Sequence, residues 1–369
     1  MPTPAGNKLR IAQVAPLWTP IPPSTYGGIE LLLALLCDEL VARGHDVTLF
    51  ASGDCRTSAK LRPVIPVNLG ELMSRGDALM YEYYMNAAMA SVLAAQDEFD
   101  LIHCHLPPAW LPFAAAMRTP CMFTLHTSPH TDDEWVMRNF PKAHAVAISH
   151  AQVAAASSRL GRKFPIVYNG VDFARYEASF KLGRHLAFLG RMSREKNPLD
   201  SIRVAQAADM PIVLAGKPQN AAEEAYFRDE IQPLIDGDRV RWIGPADHSK
   251  KVTLLRDAAA LVFPIQWDEP FGLVMIEAMA CGAPVLAVRR GSVAEVVDEG
   301  VTGFTAATPA ELASLVAKAC ALDRRKVREH AASRFSHTKM VDDYLDHYRS
   351  LLANMEDGMF PSVTSALVR

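Results

Sequence analysis

The chain contains 369 residues, of which 50% are hydrophobic and 21% are charged, and its formal net charge is −3. This length predicts two domains, and the near-neutral charge excludes the strongly basic surface typical of nucleic-acid-binding proteins. Six dispersed cysteines without a CxxC pair indicate reduced thiols in a cytoplasmic protein, and no uncharged apolar run approaches the roughly 18 residues of a membrane span.

The first part of the chain alternates between short apolar runs and helical periodicity. Residues 9–15 are predicted as a buried strand, 16–28 as a loop, 30–43 as a helix and 46–51 as the next strand. This order is typical of the units that build parallel sheets. A helix over residues 78–95 and further apolar runs continue the pattern, at residues 101–104, 121–125, 145–148 and 166–168.

The same alternation starts again at residue 185. Strands are predicted at residues 185–189, 211–215, 240–243, 260–264, 284–288 and 303–305, with helices at 199–208 and 272–280 and a helical tail over 312–355. The sequence therefore predicts an α/β protein of two doubly wound, Rossmann-like domains, residues 1–182 and 183–339. In this architecture ligands bind at the carboxyl ends of the strands, and we expect the site in a cleft between the two sheets.

A loop with two carboxylates precedes the helix at 272–280. Glu269 lies just before the helix and Glu277 within it. The first amides of a helix have no intrahelical partners and attract a phosphate, and a carboxylate can accept two hydrogen bonds from a sugar diol. The alternative interpretation is an ordinary loop acid followed by a capping or exposed helical acid.

Arg191 and Lys196 lie in a basic loop, GRMSREKN, that follows the strand at 185–189 directly. A guanidinium binds phosphate through two parallel donors and an ammonium acts as a point charge, so the pair suits a diphosphate. The alternative is a solvated surface loop. Residues 25–30 (TYGGIE) place Gly27 and Gly28 between a strand and a helix, where a backbone can approach a ligand closely or simply turn tightly.

Histidines are concentrated in the first domain. His103 and His105 share one face at the end of a strand. Such a pair could ligate a metal, although imidazoles that cap strand ends are commoner. His126 directly follows the strand at 121–125, in the segment TLHTSPH.

Three motifs together resemble a known enzyme family. GRMSREKN, the stretch EPFGLVMIEAMACGAPV and NGVD at residues 169–172 look like the retaining nucleotide-sugar glycosyltransferases of family 4, which have the GT-B fold. The resemblance extends from Arg10 to about Tyr348. It implies that a final helix, at about residues 340–369, crosses back to pack on the first domain.

The resemblance also implies roles for individual residues. Arg191 and Lys196 would bind the donor diphosphate, with Glu269 on hydroxyls of the transferred sugar and Glu277 on the ribose. His126 would contact that sugar and be needed for transfer, while His103 or His105 would line the acceptor side. Backbone groups complete the expected donor site, at Gly27, Gly28, Gly216, Phe271, Gly272, Leu273 and Val274.

The expected activity is retaining transfer of a hexose from a nucleoside-diphosphate sugar, with UDP-glucose as first choice and GDP-mannose as second. The acceptor would be a hydroxyl of a glycan, lipid or small metabolite. We expect no catalytic metal, because Arg191, Lys196 and helix ends would neutralise the donor diphosphate. Asp236 and Asp238 do form a DxD, but it precedes a strand and is typical of a turn. Residues 324–328 (RRKVR) are predicted as a solvated helix face, and a peripheral membrane contact and the oligomeric state stay open. The alternatives are a sugar-nucleotide epimerase, a non-catalytic nucleotide-sugar-binding subunit and a metal hydrolase.

Overall fold

The computed structural model of the chain describes residues 8–23, 27–141 and 143–356. They form two compact units. The described parts of Met1–Ile148, Val153–Tyr168 and Met340–Arg369 make up the first, and Ser149–Gln152 with Asn169–Lys339 make up the second. Thr25 and Tyr26 of the glycine loop, and the part of the predicted last helix beyond residue 356, lie outside the described residues.

The second unit begins earlier in the chain than the boundary that we predicted between residues 182 and 183. The Val171 N–H donates to the carbonyl of Phe335 (3.0 Å), and the Ser179 N–H donates to the carbonyl of Cys281 (3.1 Å). These hydrogen bonds attach the segment after residue 168 to the second unit.

The first unit contains a six-stranded sheet whose neighbouring strands are parallel. Its strands are β1 (Arg10–Val14), β2 (Asp46–Ser52), β3 (Lys60–Ile65), β4 (Leu101–Cys104), β5 (Cys121–Leu125) and β6 (His144–Ala147). Their order across the sheet is β3-β2-β1-β4-β5-β6. The helices from this part of the chain are α1 (Gly28–Ala42), α2 (Leu69–Arg75), α3 (Tyr81–Ala94), α4 (Leu111–Ala116), α5 (Thr131–Asn139) and α6 (His150–Leu160).

The second unit contains another six-stranded parallel sheet. Its strands are β7 (His185–Leu189), β8 (Ile212–Ala215), β9 (Val240–Trp242), β10 (Ala258–Phe263), β11 (Val285–Val288) and β12 (Gly303–Ala306), in the order β12-β11-β10-β7-β8-β9. The helices that follow α6 are α7 (Pro198–Ala207), α8 (Ala221–Tyr226), α9 (His248–Asp257), α10 (Leu273–Ala280), α11 (Val293–Val296), α12 (Pro309–Cys320), α13 (Arg324–Phe335) and α14 (His337–Glu356).

Each sheet is buried on both faces, which explains the continuous apolar runs. Every residue of β4, β5 and β10 is buried. In the first unit Phe50, Ile102 and Phe123 pack in one core with Met85 and Val92 of α3. A parallel sheet covered by helices on both sides requires such strands. The predicted architecture of two doubly wound α/β domains is therefore confirmed.

One predicted strand is absent from the structure, and one observed strand was not predicted. Residues 166–168 form no strand, because only Ile166 makes a bridge, to Ala147. The strand β3 was not predicted, since it lies at the edge of the sheet and most of its residues are at least partly exposed. An edge strand has one partner and needs less apolar surface than a central strand.

The helical tail predicted over residues 312–355 is divided into α12, α13 and α14. The prediction of a solvated face at residues 324–328 was wrong for the two arginines at its ends. Arg324 is only 5% exposed, and its guanidinium donates to the carbonyls of Ser179 (2.7 Å), Ala258 (2.7 Å) and Arg256 (3.1 Å). Arg328 donates to the carbonyl of Tyr176 (2.9 Å).

All six cysteines are free, and five of them are buried. Over residues 8–23, 27–141 and 143–356, none of the helices combines the length and the apolar character that a bilayer crossing requires.

Candidate functional site

In the second unit, the loops that follow β7 and β8 approach each other very closely. The Gly190 N–H donates to the carbonyl of Ala215 (3.1 Å). A Cβ atom at Gly216 would lie 1.8 Å from the carbonyl oxygen of Gly190, and φ of Gly216 is +139°. Only glycine fits here. The indole N–H of the exposed Trp242 donates to the carbonyl of Gly216 (2.9 Å), so the loop after β8 also contacts the end of β9.

Lys196 and Glu269, two of the predicted site residues, form an ion pair. The Lys196 Nζ lies 2.5 Å from Glu269 Oε2, and the side chains are only 16% and 10% exposed. The indole N–H of Trp267 donates to the same oxygen (3.0 Å), and its ring centroid lies 4.9 Å from the Lys196 Nζ. An anionic ligand could therefore bind Lys196 only in competition with, or beside, the Glu269 carboxylate.

Arg191 is held by two carboxylates that the sequence analysis did not identify. Its guanidinium donates to Glu223 Oε1 (2.9 Å) and to Glu195 Oε2 (2.9 Å). Glu195 could have been found, since it lies four residues further along the same loop. Glu223 belongs to α8, which was not predicted, and it also accepts a hydrogen bond from the Gln219 N–H (2.8 Å).

The loop between β10 and α10 is fixed through its backbone carbonyls. Pro270 accepts a hydrogen bond from the Ser149 hydroxyl (2.6 Å), and Phe271 accepts one from the Ser292 hydroxyl (2.9 Å). Gly272 caps α10 with φ +80°, a conformation that favours glycine. The helix then starts with Leu273 and Val274, both partly exposed. A glycine cap brings no side chain to the first amides of the helix, which therefore suit an anion.

Glu277 lies buried within α10, and its partners are not those of Glu269. Its Oε1 accepts hydrogen bonds from the Tyr176 hydroxyl (2.9 Å) and from the Lys251 ammonium. Burial and the neighbouring charge of Glu277 raise the pKa of Tyr176 well above its ordinary value. Neither Tyr176 nor Lys251 was identified from the sequence, because they lie 101 and 26 positions away from Glu277 along the chain.

In the first unit, Gly27 caps α1 and Gly28 begins it. A Cβ atom at Gly27 would come within 2.7 Å of Pro23 Cβ and 2.9 Å of Glu30 Oε2. The glycine at position 27 is therefore required by space, since its φ of 170° is ordinary extended backbone. Burial raises the pKa of the Glu30 carboxyl.

His126 follows β5 and is partly exposed, whereas His103 and His105 are buried. Burial lowers the pKa of His126 to about 4. The expectation that His103 or His105 lines an acceptor surface is not met, because both rings lie in the interior. Among the described residues no group of three or more histidine, cysteine, aspartate or glutamate side chains is placed to hold a metal ion.

The DxD motif is part of a turn, as predicted. Asp236 Oδ1 accepts hydrogen bonds from the backbone N–H groups of Asp238 (2.8 Å) and Val240 (2.9 Å). The Asp236 carboxylate is therefore engaged in shaping the chain just before β9.

Two family models match the chain, one on each half. The model described as "Glycosyl transferases group 1" matches residues 177–334, and the model described as "Glycosyltransferase Family 4" matches residues 26–175. The two matched regions contain Arg191, Lys196, Glu269 and Glu277 on one side and Gly27, Gly28 and His126 on the other.

Curated relatives resemble the chain over most of its length. A D-inositol 3-phosphate glycosyltransferase of Mycolicibacterium vanbaalenii is 27% identical, over 89% of this chain and 86% of the relative. A phosphatidyl-myo-inositol mannosyltransferase of Propionibacterium freudenreichii is 26% identical, over 76% of this chain and 78% of the relative.

Solved structures share the fold. AviGT4, a glycosyltransferase involved in avilamycin A biosynthesis, is 25% identical with a TM-score of 0.66, over 94% of this chain and 98% of that chain. Anabaena Alr3699/HepE, solved with UDP and glucose, is 21% identical with a TM-score of 0.70, over 93% of this chain and 100% of that chain.

Proposed function

Because the chain belongs to the family 4 glycosyltransferases of the GT-B fold, we propose that it transfers a hexose from a nucleoside-diphosphate sugar to a hydroxyl acceptor with retention of configuration. The observation that carries the choice of donor is the arrangement around Lys196. A largely buried ammonium and a carboxylate lie together after β7 and β10. This combination suits a ligand with both a diphosphate and a sugar diol.

Charge develops on the leaving diphosphate as the bond to the anomeric carbon breaks. We assign Lys196, Arg191 and the first amides of α10 to the stabilisation of this charge. Glu269 is assigned to bind hydroxyls of the transferred sugar, and Glu277 is assigned to bind hydroxyls of the ribose. Donors aimed at a developing charge lower the barrier most, and removal of one such donor typically costs about 10²–10³ in rate. Because these groups supply positive charge themselves, the proposed reaction needs no metal ion.

His126 is assigned to the transferred sugar and is needed for transfer. Its position after β5, its partial exposure and its neutral imidazole support this role. In the proposed retaining mechanism the acceptor attacks from the side of the leaving group, and a donor phosphate oxygen takes the proton of the acceptor hydroxyl.

UDP-glucose is the preferred donor and GDP-mannose the second candidate. Structures of the fold relative Anabaena Alr3699/HepE were solved with UDP and with UDP-glucose, and one curated relative is a mannosyltransferase. For the acceptor we propose a hydroxyl of a polyol, a glycan, a lipid head group or a small metabolite, since relatives are named for transfer to an inositol phosphate and to a phosphatidyl inositol.

Calorimetric titration with UDP, GDP and ADP, and thermal denaturation with their hexose conjugates, test this proposal. A ligand at 100 times its Kd stabilises the folded chain by about 2.7 kcal/mol, and we expect this effect for UDP and UDP-glucose. His126→Ala should retain UDP affinity while transfer falls about 100-fold. Lys326→Met, on an exposed part of α13, is the control and should bind and turn over normally. Absence of binding to all three nucleotides by folded protein would contradict the proposed donor class.

The stereochemistry needs a separate measurement. Proton NMR of the product formed from an α-linked donor and a small polyol should show an α-linkage if configuration is retained. A β-linked product would contradict the retaining mechanism. Activity that persists after treatment with a chelator is expected, and its complete loss would contradict independence of metal.

A further inference from the structure

A chain of hydrogen bonds leads from His126 into the interior of the first unit. His126 Nε2 lies 3.0 Å from His105 Nδ1, and His105 Nε2 lies 2.9 Å from the side-chain oxygen of Gln13. His105 and Gln13 are both buried. The partly exposed His126 is thus connected to two polar side chains that solvent does not reach.

The chain of hydrogen bonds continues to the last helix. The Gln13 amide N–H donates to the Tyr348 hydroxyl (3.2 Å), which lies 2.7 Å from His103 Nδ1. His103 Nε2 lies 2.8 Å from the Thr124 hydroxyl, and this hydroxyl lies 3.0 Å from that of Tyr344. The network therefore joins β1, β4 and β5 to α14 in the first unit.

All three imidazoles of this network are neutral at neutral pH. Burial lowers the pKa of His103 and of His105 well below the ordinary value, and the neighbouring histidines lower it further. A neutral imidazole carries one N–H, and the other ring nitrogen is an acceptor. Each ring therefore adopts one of two tautomers, and its hydrogen-bond partners determine which one.

The side-chain oxygen of Gln13 determines which ring nitrogens of His105 and His126 donate. An amide oxygen only accepts hydrogen bonds, so that His105 must carry its proton on Nε2, toward this oxygen. His105 Nδ1 is then bare and accepts a hydrogen bond from His126, whose proton must lie on Nε2. This leaves Nδ1 of His126 unprotonated.

We infer that His105 and Gln13 are positioning residues that hold His126 as its Nε2–H tautomer, so that its Nδ1 can accept a hydrogen bond from a hydroxyl of the transferred sugar. Tyr348 supports them because it accepts the Gln13 amide N–H and thereby keeps the amide oxygen toward His105. The tautomer follows from these contacts between neutral rings, whereas its consequence for transfer rests on the proposed role of His126.

The tautomer can be measured on the unmodified enzyme. In the full chain labelled with ¹⁵N-histidine, protonated and bare ring nitrogens give well-separated ¹⁵N resonances, and His126→Gln identifies the His126 signals by their loss. We expect a bare Nδ1 and a protonated Nε2 at neutral pH. A bare Nε2, or an even mixture of the two tautomers, would overturn the inference without any need for a variant to fold.

Gln13→Leu tests the control of the tautomer. It removes the amide oxygen that fixes His105, so His126 should change to a mixture of tautomers and kcat should fall about 10- to 100-fold, as expected when a catalytic group is misplaced. The affinity for UDP should not change. The matched control is Gln96→Leu, which removes another buried glutamine of the same unit, outside the network, and should leave both tautomer and kcat as in the wild type.

The outcomes separate this inference from the proposed function. If Gln13→Leu changes the His126 tautomer but leaves kcat intact, the positioning is supported and the role of His126 in transfer is refuted. If kcat falls while His126 keeps its Nε2–H tautomer, the positioning is refuted and the proposed function is untouched.

Discussion

Lys196, which we predicted to bind the donor diphosphate, also interacts with other residues of the protein. Its ammonium contacts the buried Glu269 carboxylate and lies over the Trp267 ring. A charge in such surroundings needs its partner, since an uncompensated buried charge commonly costs about 3–5 kcal/mol. Loss of either partner alone should therefore destabilise the second unit, in addition to any effect on the proposed donor site.

Removal of Lys196 should therefore have two separable effects. We expect Lys196→Met to weaken UDP binding and to lower the free energy of unfolding by about 3 kcal/mol, since Glu269 is left without its cation. The double variant Lys196→Met/Glu269→Gln should regain most of the stability but none of the UDP affinity. Urea unfolding and calorimetric titration measure the two quantities. Equal loss of stability in both variants would show that the unpaired carboxylate is not the cause.

The sequence predicts the residue types at this site but not their partners. Glu269 and Lys196 could be selected because each lies beside a predicted strand end, a local property. Their contact joins residues 73 positions apart, and no local pattern indicates it. The Asp236 turn could be predicted for the opposite reason, since its hydrogen bonds reach only two and four residues along the chain.

At the level of elements, the buried strands were predicted best. The bounds predicted for β4, β5 and β7 agree with the structure. A short, continuous apolar run bounded by polar residues is typical of a strand that is buried on both faces of a parallel sheet. α13 was misread as a solvated face because its basic residues were considered together. On a helix, positions 324 and 328 share the face of the buried Val327, whereas Arg325 and Lys326 point outward.

This difference within α13 gives a direct comparison. Arg324→Met should lower the free energy of unfolding by about 2–4 kcal/mol, because the carbonyls of Ser179, Ala258 and Arg256 lose their donor in a buried environment. Lys326→Met, two positions away on the exposed face, should change it by less than about 0.5 kcal/mol. Urea unfolding curves of the two variants measure the difference. Similar midpoints for both would mean that the guanidinium contributes no more than a surface charge.

At the scale of the whole molecule, the first unit is built from both ends of the described chain. Gln13 of β1 and Tyr348 of α14 are hydrogen-bonded although 335 residues separate them. Tyr344, Leu345 and Tyr348 are all buried. Apolar periodicity alone indicates a long helix in this region but not the unit to which it belongs, since its apolar face is compatible with either core. The family resemblance implied that a final helix, at about residues 340–369, packs on the first domain, and the described part of α14 from residue 340 onward lies in the first unit.

Acid should destabilise the first unit through its buried imidazoles. His126 has a folded-state pKa of about 4, and the pKa values of His103 and His105 are also depressed by burial, whereas an unfolded chain has histidine pKa values of about 6.5. Below pH 6.5 the unfolded chain therefore binds protons that the folded chain does not. The free energy of unfolding must then fall as the pH decreases from 6.5 toward 4, by up to about 1.4 kcal/mol per pH unit for each histidine.

His103 offers the sharpest test of this expectation, because it is fully buried and lies farther along the network than His105 and His126. His103→Asn removes one of the titrating groups. The slope of the free energy of unfolding against pH, between pH 6.5 and 5, should therefore decrease relative to the wild type by up to about 1.4 kcal/mol per pH unit. Gln96→Leu, which removes a buried polar side chain of the same unit that does not titrate, should retain the wild-type slope. Urea unfolding at a series of pH values measures these slopes. If His103→Asn and the wild type had the same slope, the imidazole would have to be protonated within the fold, and a network of neutral rings could not exist as described.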